Sequence, residues 1–377
     1  MRVTEPYIIF PRTLGSGKIV YYYQFRDSEG RRSSALSTGE TTLSKAKRKI
    51  QKLYNEGLLF KESESITFKA FSAHFFDKDA EYYTFQATTG KPIKDSTLDS
   101  YVKILNNQLL PFFERMELKS ITKSTIKNWI IWANKTWSPK TINNAHGVLN
   151  ILFESALDKE LISRNPLSNL RFCPIAKKER NLLTVEELSQ IYNYAWSNNV
   201  QKQMFLMALL TGMRIGEISA LKKSDVHKDF IDVKHTFSDR FGLGSTKTGE
   251  NRKVPIISIF SSDSKTEWFF EGLSKDKPML SHAVYNAFIR ICDKIGIKRT
   301  ERGITIHSLR NFFISYLQQN NVSESKIKAV VGHKDKSNMT EHYTYWKPEM
   351  FPEVYSAQKK LFEQITGENY AKSNKAD

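Results

Sequence analysis

The segment 165–180, NPLSNLRFCPIAKKER, constrains the fold of this chain more than any other. It holds two prolines, no apolar periodicity and a basic end, so it reads as an interdomain linker. The residues on either side must therefore build separate cores. At 377 residues, two or three domains are expected.

The apolar pattern changes along the chain. KIVYYYQF (18–25) is rich in aromatic and β-branched residues, as strands are; Asp27-Ser28-Glu29-Gly30 is a turn, with 31–36 as a return strand. LSKAKRKIQKLYNEG predicts a helix capped at Ser44 and ended by Gly57, with Ala46, Ile50, Leu53 and Tyr54 as its apolar stripe. Residues 66 to about 170 carry helical spacing throughout. Helices are expected at TFKAFSAHFF, at 96–105 with Pro111 beyond its end, at 120–135 and at 138–161, and Trp129 and Trp132 are expected to share a buried face. From 182 the pattern mixes. Thr184-Val185-Glu186-Glu187 is a capping box, MFLMALLTG (204–212) is a long apolar helix, and FIDVKHTF with STKTGENRKVPI predicts a short antiparallel sheet before helices resume. The fold class is α+β multidomain: a small sheet-plus-helix domain at 1–62, a helical domain at 63–170, a linker proper at 171–181, a mostly helical domain with a small antiparallel sheet at 182–365, and a polar tail at 366–377.

Fifty-seven Lys and Arg face 40 Asp and Glu, a net charge of +17 that favours a polyanionic partner, whether nucleic acid or an anionic membrane surface. A mean hydropathy of -0.47, with no apolar run near the roughly 18 residues of a membrane span, makes a spanning protein unexpected. The N-terminus lacks a signal-peptide layout, so a cytoplasmic protein is expected. Two cysteines, Cys173 and Cys292, are too few for a disulfide framework or a cysteine zinc site and read as small buried hydrophobes.

Four segments carry chemistry in a fixed order: TGMRIGEISAL (211–221), STKTGENRKVPI (245–256), HSLRNFFISYL (307–317) and VVGHKDKSNMTEHYTYW (330–346). Singly each is weak. Together they present Arg, Lys, His-x-x-Arg, His and Tyr, and so resemble the tyrosine recombinase (phage integrase) family over roughly 180–350. Thr-Gly-x-Arg-x-x-Glu-Leu, His-x-Leu-Arg-x-x-Phe and Leu-Gly-His…Thr-x-x-Tyr are that family's segments, with Ile218 and Val331 here in place of leucine. Upstream, the match is one of plan only.

The resemblance assigns Arg214, Lys247, His307, Arg310, His333 and Tyr343 as catalytic. Guanidinium forks suit a phosphate whose transition state gains charge. His307 lies one helical turn from Arg310, so both can face one phosphate. A phenol with pKa near 10 needs a base or a positive field to attack, and His307 is implied as acceptor of its proton. Lys247, with Lys253 as local rival, is implied as general acid toward the departing 5′ oxygen. Glu217, one turn from Arg214, is expected to support it from behind. Tyr343 lies one residue further from His333 than in many members, so Tyr345 competes as nucleophile.

The implied function is site-specific DNA recombination for a mobile element, by integration or excision, through a 3′-phosphotyrosine and a Holliday junction. It implies no cofactor and no metal. Implied partners are double-stranded DNA at core and arm sites, a homotetramer on that DNA, and accessory DNA-bending or excision factors, in a bacterial or phage setting associated with the nucleoid. Arg31, Arg32, Lys45, Arg48 and Lys49 are candidate arm-site contacts on 1–62; Lys177, Lys178 and Arg180 are candidate contacts on the linker. A type IB topoisomerase and a non-catalytic DNA-binding regulator are the competing readings. PEVYSAQKKLFEQI (352–365) is an amphipathic helix, open between packing on a neighbour and packing on its own domain.

Overall fold

The computed structural model describes residues 7–14, 17–25, 32–33, 35–56, 66–175, 182–246, 249–274, 276–333 and 347–370. Arg31, Lys177, Lys178, Arg180, Lys247, Tyr343 and the rival Tyr345 lie outside them. The chain forms two compact units, Met1–Ile175 and Ala176–Asp377. It is mostly helical with small antiparallel sheets, as expected.

The first unit opens with a three-stranded sheet in the order β1 (Tyr7–Thr13), β2 (Ile19–Phe25), β3 (Leu36–Ser37). Strand alternation puts Tyr7, Ile9, Tyr23 and Phe25 on one face, where they cluster with Ile50 and Leu53 of α1 (Leu43–Asn55). On the other face Phe10 stacks on Tyr22, and the Arg12 guanidinium lies 5.3 Å from the Tyr22 ring centre. The sequence reading missed β1, whose Pro11 argues against a strand; β1 is an edge, where a missing N–H is tolerated. The N-cap of α1 is Thr42, two residues before the expected Ser44.

A separate apolar cluster fills residues 66–175, built on Phe68, Phe113, Trp129 and Phe153. Its helices are α2 (Phe68–Ser72), α3 (Glu81–Thr88), α4 (Asp95–Ile104), α5 (Leu110–Phe113), α6 (Lys123–Ala133) and α7 (Pro139–Asp158). The last two are capped by Thr122 and Ser138, whose side chains accept the N–H groups of Thr125 and Thr141. Pro111 lies beyond the end of α4, as expected, but the helical path does not stop there. The chain runs from α4 through a π-turn, Leu105–Leu109, directly into α5, and Pro111 sits in the first turn of α5, where its missing N–H is harmless. Trp129 donates its indole N–H to the Gln108 carbonyl in that π-turn at 3.2 Å. Trp132 does not share its burial: Trp129 is fully buried, whereas Trp132 is 36% exposed and packs against Phe112 and Trp137. At the end of the unit, Asn143 clamps Cys173 by donating to its carbonyl and accepting its N–H. Cys173 is half-buried, unlike Cys292, whose burial pushes its thiol up to about 12.

The second unit has one apolar core. Helices α8 (Val185–Asn193), α9 (Asn199–Thr211) and α10 (Ile215–Ser219) precede four short strands; α11 (Ser281–Lys294), α12 (Arg299–Arg302), α13 (His307–Gln319), α14 (Glu324–Val331) and α15 (Pro352–Thr366) follow. The expected capping box at Thr184 and Glu187 opens α8. Strand β5 (His235–Ser238) pairs with β6 (Gly242–Ser245) inside the outer pair, β4 (Phe230–Val233) with β7 (Arg252–Pro255). Helix α15 packs into its own unit: Val354, Leu361, Phe362 and Ile365 are buried, and the Gln358 amide donates to the carbonyls of Leu210 and Pro255. Among the described residues no helix is long and apolar enough to cross a membrane.

The left-handed turn at Gly212 ends α9 and aims the chain into the functional site. A methyl group there would lie 2.7 Å from Phe313 Cδ1 on a backbone with φ +62°. Gly212→Ala is therefore expected to destabilise the unit by about 1–3 kcal/mol, read as a lower urea midpoint at unchanged m. An unchanged midpoint would show that the turn has room to relax.

Candidate active site

Helix α9 stops at Gly212, and two residues later Arg214 caps α10. Glu217, in the third position of α10, turns its carboxylate back onto that cap. It accepts the Arg214 backbone N–H at 3.0 Å and the Arg214 guanidinium at 2.8 Å. A second guanidinium completes the pair: Arg252 of β7 donates Nη2 and Nη1 to the two oxygens of Glu217 at 2.7 and 3.2 Å. Glu217 is 1% exposed. Burial alone pushes its carboxyl up, but hydrogen bonds and charge from Arg252 and Arg214 bring it below the ordinary value.

Arg310, in the first turns of α13, is 2% exposed. Its Nη1 donates to the Gly212 carbonyl at 2.8 Å, so the turn that aims Arg214 also anchors Arg310. Its Nη2 is buried with no hydrogen-bond partner among the described residues. Burial, then the charges of Arg214 and Arg252, holds this guanidinium down to about 10. A buried cation beside two others, with an unsatisfied donor, is an environment that an anion would relieve.

His307 is the first residue of α13 and is exposed. His333 follows Gly332, the left-handed cap of α14, and is also exposed at the surface of the site. Partial burial lowers its pKa, and the charges of Arg310, Arg214, His307 and Lys328 lower it further. Arg214, Arg310, His307 and His333, which are far apart in sequence, thus share one electrostatic neighbourhood. Thr246 donates its hydroxyl to the Glu250 carbonyl, and its carbonyl accepts the Gly249 N–H. The rival Lys253 holds its ammonium 4.3 Å from the Phe230 ring centre, on the opposite face of β7 from Arg252.

The residue that sequence reasoning missed is Arg252. Only the alternation of β7 carries a signal for it: in Arg252-Lys253-Val254, one of the two cations must face the core side, and periodicity cannot say which. Among the candidate arm-site contacts, Arg32, Lys45 and Arg48 are exposed. Lys49 is exposed too, but its ammonium is also tied to the Thr38 carbonyl at 2.8 Å. No group of His, Cys, Asp or Glu that would hold a metal ion occurs among the described residues.

Two left-handed helix ends, at Gly212 and Gly332, stand just ahead of Arg214 and His333, and both residues share their surroundings with Arg310 and His307 of α13. Residues 181–349 match the model of the phage integrase family, and residues 84–163 match that of the phage integrase N-terminal SAM-like domain. The chain belongs to the phage integrase family. It is 26% identical to the prophage ps2 probable integrase of Lactococcus lactis, over 87% of this chain and 93% of that protein. It is 23% identical to the tyrosine recombinase XerD of Halalkalibacterium halodurans, over 70% and 91% of the two chains. In fold it is similar to a lambda integrase solved as a tetramer bound to a Holliday junction, with a TM-score of 0.54 and 17% identity over 90% of this chain and 98% of that one.

Two outcomes are expected from this geometry. Inorganic sulfate should raise the thermal midpoint of the wild type by about 2–4 °C, the shift that ~1 kcal/mol produces in a unit of this size, and should not do so in Arg310→Ala. Equal shifts by scanning fluorimetry in both proteins would place the anion elsewhere. Glu217→Gln should lose about 3–5 kcal/mol at neutral pH, because it leaves buried guanidiniums uncompensated. The Glu217 carboxyl titrates lower when folded, so its contribution is complete above the ordinary value of 4.5 and is lost as pH falls through the folded-state value. The stability gap between wild type and Glu217→Gln, measured by urea unfolding, should therefore narrow on acidification below 4.5; a constant gap would refute the assignment.

Proposed function

We propose that this protein is a tyrosine-type site-specific DNA recombinase of a mobile element, acting by integration or excision. The observation that carries the reading is the buried Arg310 Nη2, which has no hydrogen-bond partner among the described residues and sits beside the charges of Arg214 and Arg252. A phosphodiester oxygen supplies the acceptor that this donor lacks.

In the proposed reaction the Tyr343 phenol oxygen attacks phosphorus, and His307 takes its proton. The phosphorane-like transition state carries one more negative charge than the diester, and Arg214 and Arg310 stabilise it. The bond to the 5′ oxygen breaks, and Lys247 protonates that oxygen. A 3′-phosphotyrosine and a free 5′ hydroxyl remain, with His333 bonded to the phosphate. The ester bond is conserved in the link, so the reverse attack by a 5′ hydroxyl rejoins DNA without ATP.

The unit architecture supports a division of labour. Residues 1–62 would read arm sites through Arg31, Arg32, Lys45, Arg48 and Lys49, and residues 63–170 the core site. The linker, 171–181, would follow the backbone with Lys177, Lys178 and Arg180, and 182–365 would cut and rejoin. The partners are double-stranded DNA, three further copies in a tetramer that passes through a Holliday junction, and accessory DNA-bending or excision factors. The setting is the bacterial cytoplasm, at the nucleoid.

The test is covalent trapping on a nicked duplex carrying a candidate attachment sequence. The wild type and Tyr345→Phe should give a detergent-resistant protein–DNA adduct, and Tyr343→Phe none. An adduct from Tyr343→Phe together with none from Tyr345→Phe would move the nucleophile to Tyr345.

A further inference from the structure

Arg252 makes three kinds of contact. Its Nη1 and Nη2 grip both oxygens of Glu217, at 3.2 and 2.7 Å. Its Nε donates to the Val330 carbonyl in the last turn of α14 at 3.0 Å. Its side chain fills the space beside Gly332, where an added methyl would lie 3.1 Å from Cδ and Nε and 3.2 Å from Cζ. The residue is nearly buried, with its side chain 11% exposed. Strand β7, which bears it, is the next strand in the chain after residue 247.

Charge explains why a third guanidinium is needed. Glu217 orients Arg214 from behind, but an ionised carboxylate 2.8 Å from that guanidinium also cancels its field at the phosphate. Arg214 and Arg310 with Glu217 alone sum to one positive charge. With Arg252 the buried group sums to two, which equals the charge on a phosphorane-like transition state. The Arg252 fork is bonded to both oxygens of Glu217 and its Nε to the Val330 carbonyl, which assigns it to neutralising Glu217.

We propose that Arg252 is a positioning residue for the recombination chemistry: it offsets the Glu217 charge so that Arg214 and Arg310 act on the phosphate at full strength, while its bond to Val330 holds the turn that presents His333. The inference rests on the recombinase reading given above. It adds to that reading a residue through which β7, α10 and α14 are set against one another.

The test compares wild type, Arg252→Lys, Arg252→Gln and the double variant Arg252→Gln/Glu217→Gln in single-turnover cleavage of the nicked duplex at saturating protein. Gel-shift affinity and urea unfolding are measured on the same preparations. Arg252→Gln should cleave about 100-fold more slowly, the loss typical of one removed charge stabiliser, with affinity for DNA changed less than threefold. Arg252→Lys keeps the charge but neither the fork nor the Val330 bond, and should stay within about tenfold of wild type. The double variant removes both charges, and should recover at least about tenfold over Arg252→Gln. A clip with no electrostatic part predicts that Arg252→Lys fails as badly as Arg252→Gln, and that result overturns the proposal. So does cleavage by Arg252→Gln at the wild-type rate, or a double variant no faster than Arg252→Gln. If the wild type itself forms no adduct, the recombinase reading falls and this inference with it; an active wild type beside an unaffected Arg252→Gln removes this inference alone.

Discussion

A single buried carboxylate organises the second unit. Taking Glu217 out of water carries a desolvation penalty of several kcal/mol, which only saturated hydrogen bonding and opposite charge offset. Four donors supply this: the Arg214 backbone, the Arg214 guanidinium and both ends of the Arg252 fork. Because every donor has one geometry that satisfies it, the carboxylate fixes the start of α10 relative to β7. The Arg252 Nε then fixes β7 relative to α14. The site is rigid because the alternative is an uncompensated charge in the core.

Helix ends, more than helix faces, place the functional groups. Gly212 and Gly332 both adopt left-handed backbone, and each stands just ahead of a site residue, Arg214 and His333. In both places a side chain on glycine would collide with a neighbour, Phe313 in one case and Arg252 in the other. The Gly212 carbonyl anchors Arg310, so one tight turn serves two arginines. Gln358 draws the same region inward, bonding Leu210 at the end of α9 and Pro255 at the end of β7. The last helix thereby braces the segments that carry Arg214 and Arg252.

Electrostatics acts here on two scales. The net charge of +17 is a surface property, screened beyond about 8–10 Å at physiological salt, and it serves long polyanionic partners. Inside the unit the balance is local. Three guanidiniums surround a carboxylate that is shut off from water, and burial and these charges depress Arg310 and His333. Surface lysines cannot substitute for that arrangement.

The sequence by itself determined the helical and strand periods, the cap at Thr184, and the one-turn spacings of Arg214 with Glu217 and of His307 with Arg310, because spacing along one helix is a local property. Its proline-broken basic segment, 165–180, spans the boundary between the two units. What only the tertiary structure decided were contacts across long separations. Arg252 was invisible because a strand with adjacent cations leaves the inward side open until the sheet is paired. Strand β1 was masked by Pro11, which is acceptable only once the strand is known to be an edge. The continuation of α4 through a π-turn into α5 was not legible either, and there the Trp129 indole meets the Gln108 carbonyl across 21 residues. The packing of α15 on its own unit followed from Gln358 finding two carbonyls, on α9 and β7, that no local pattern brings together.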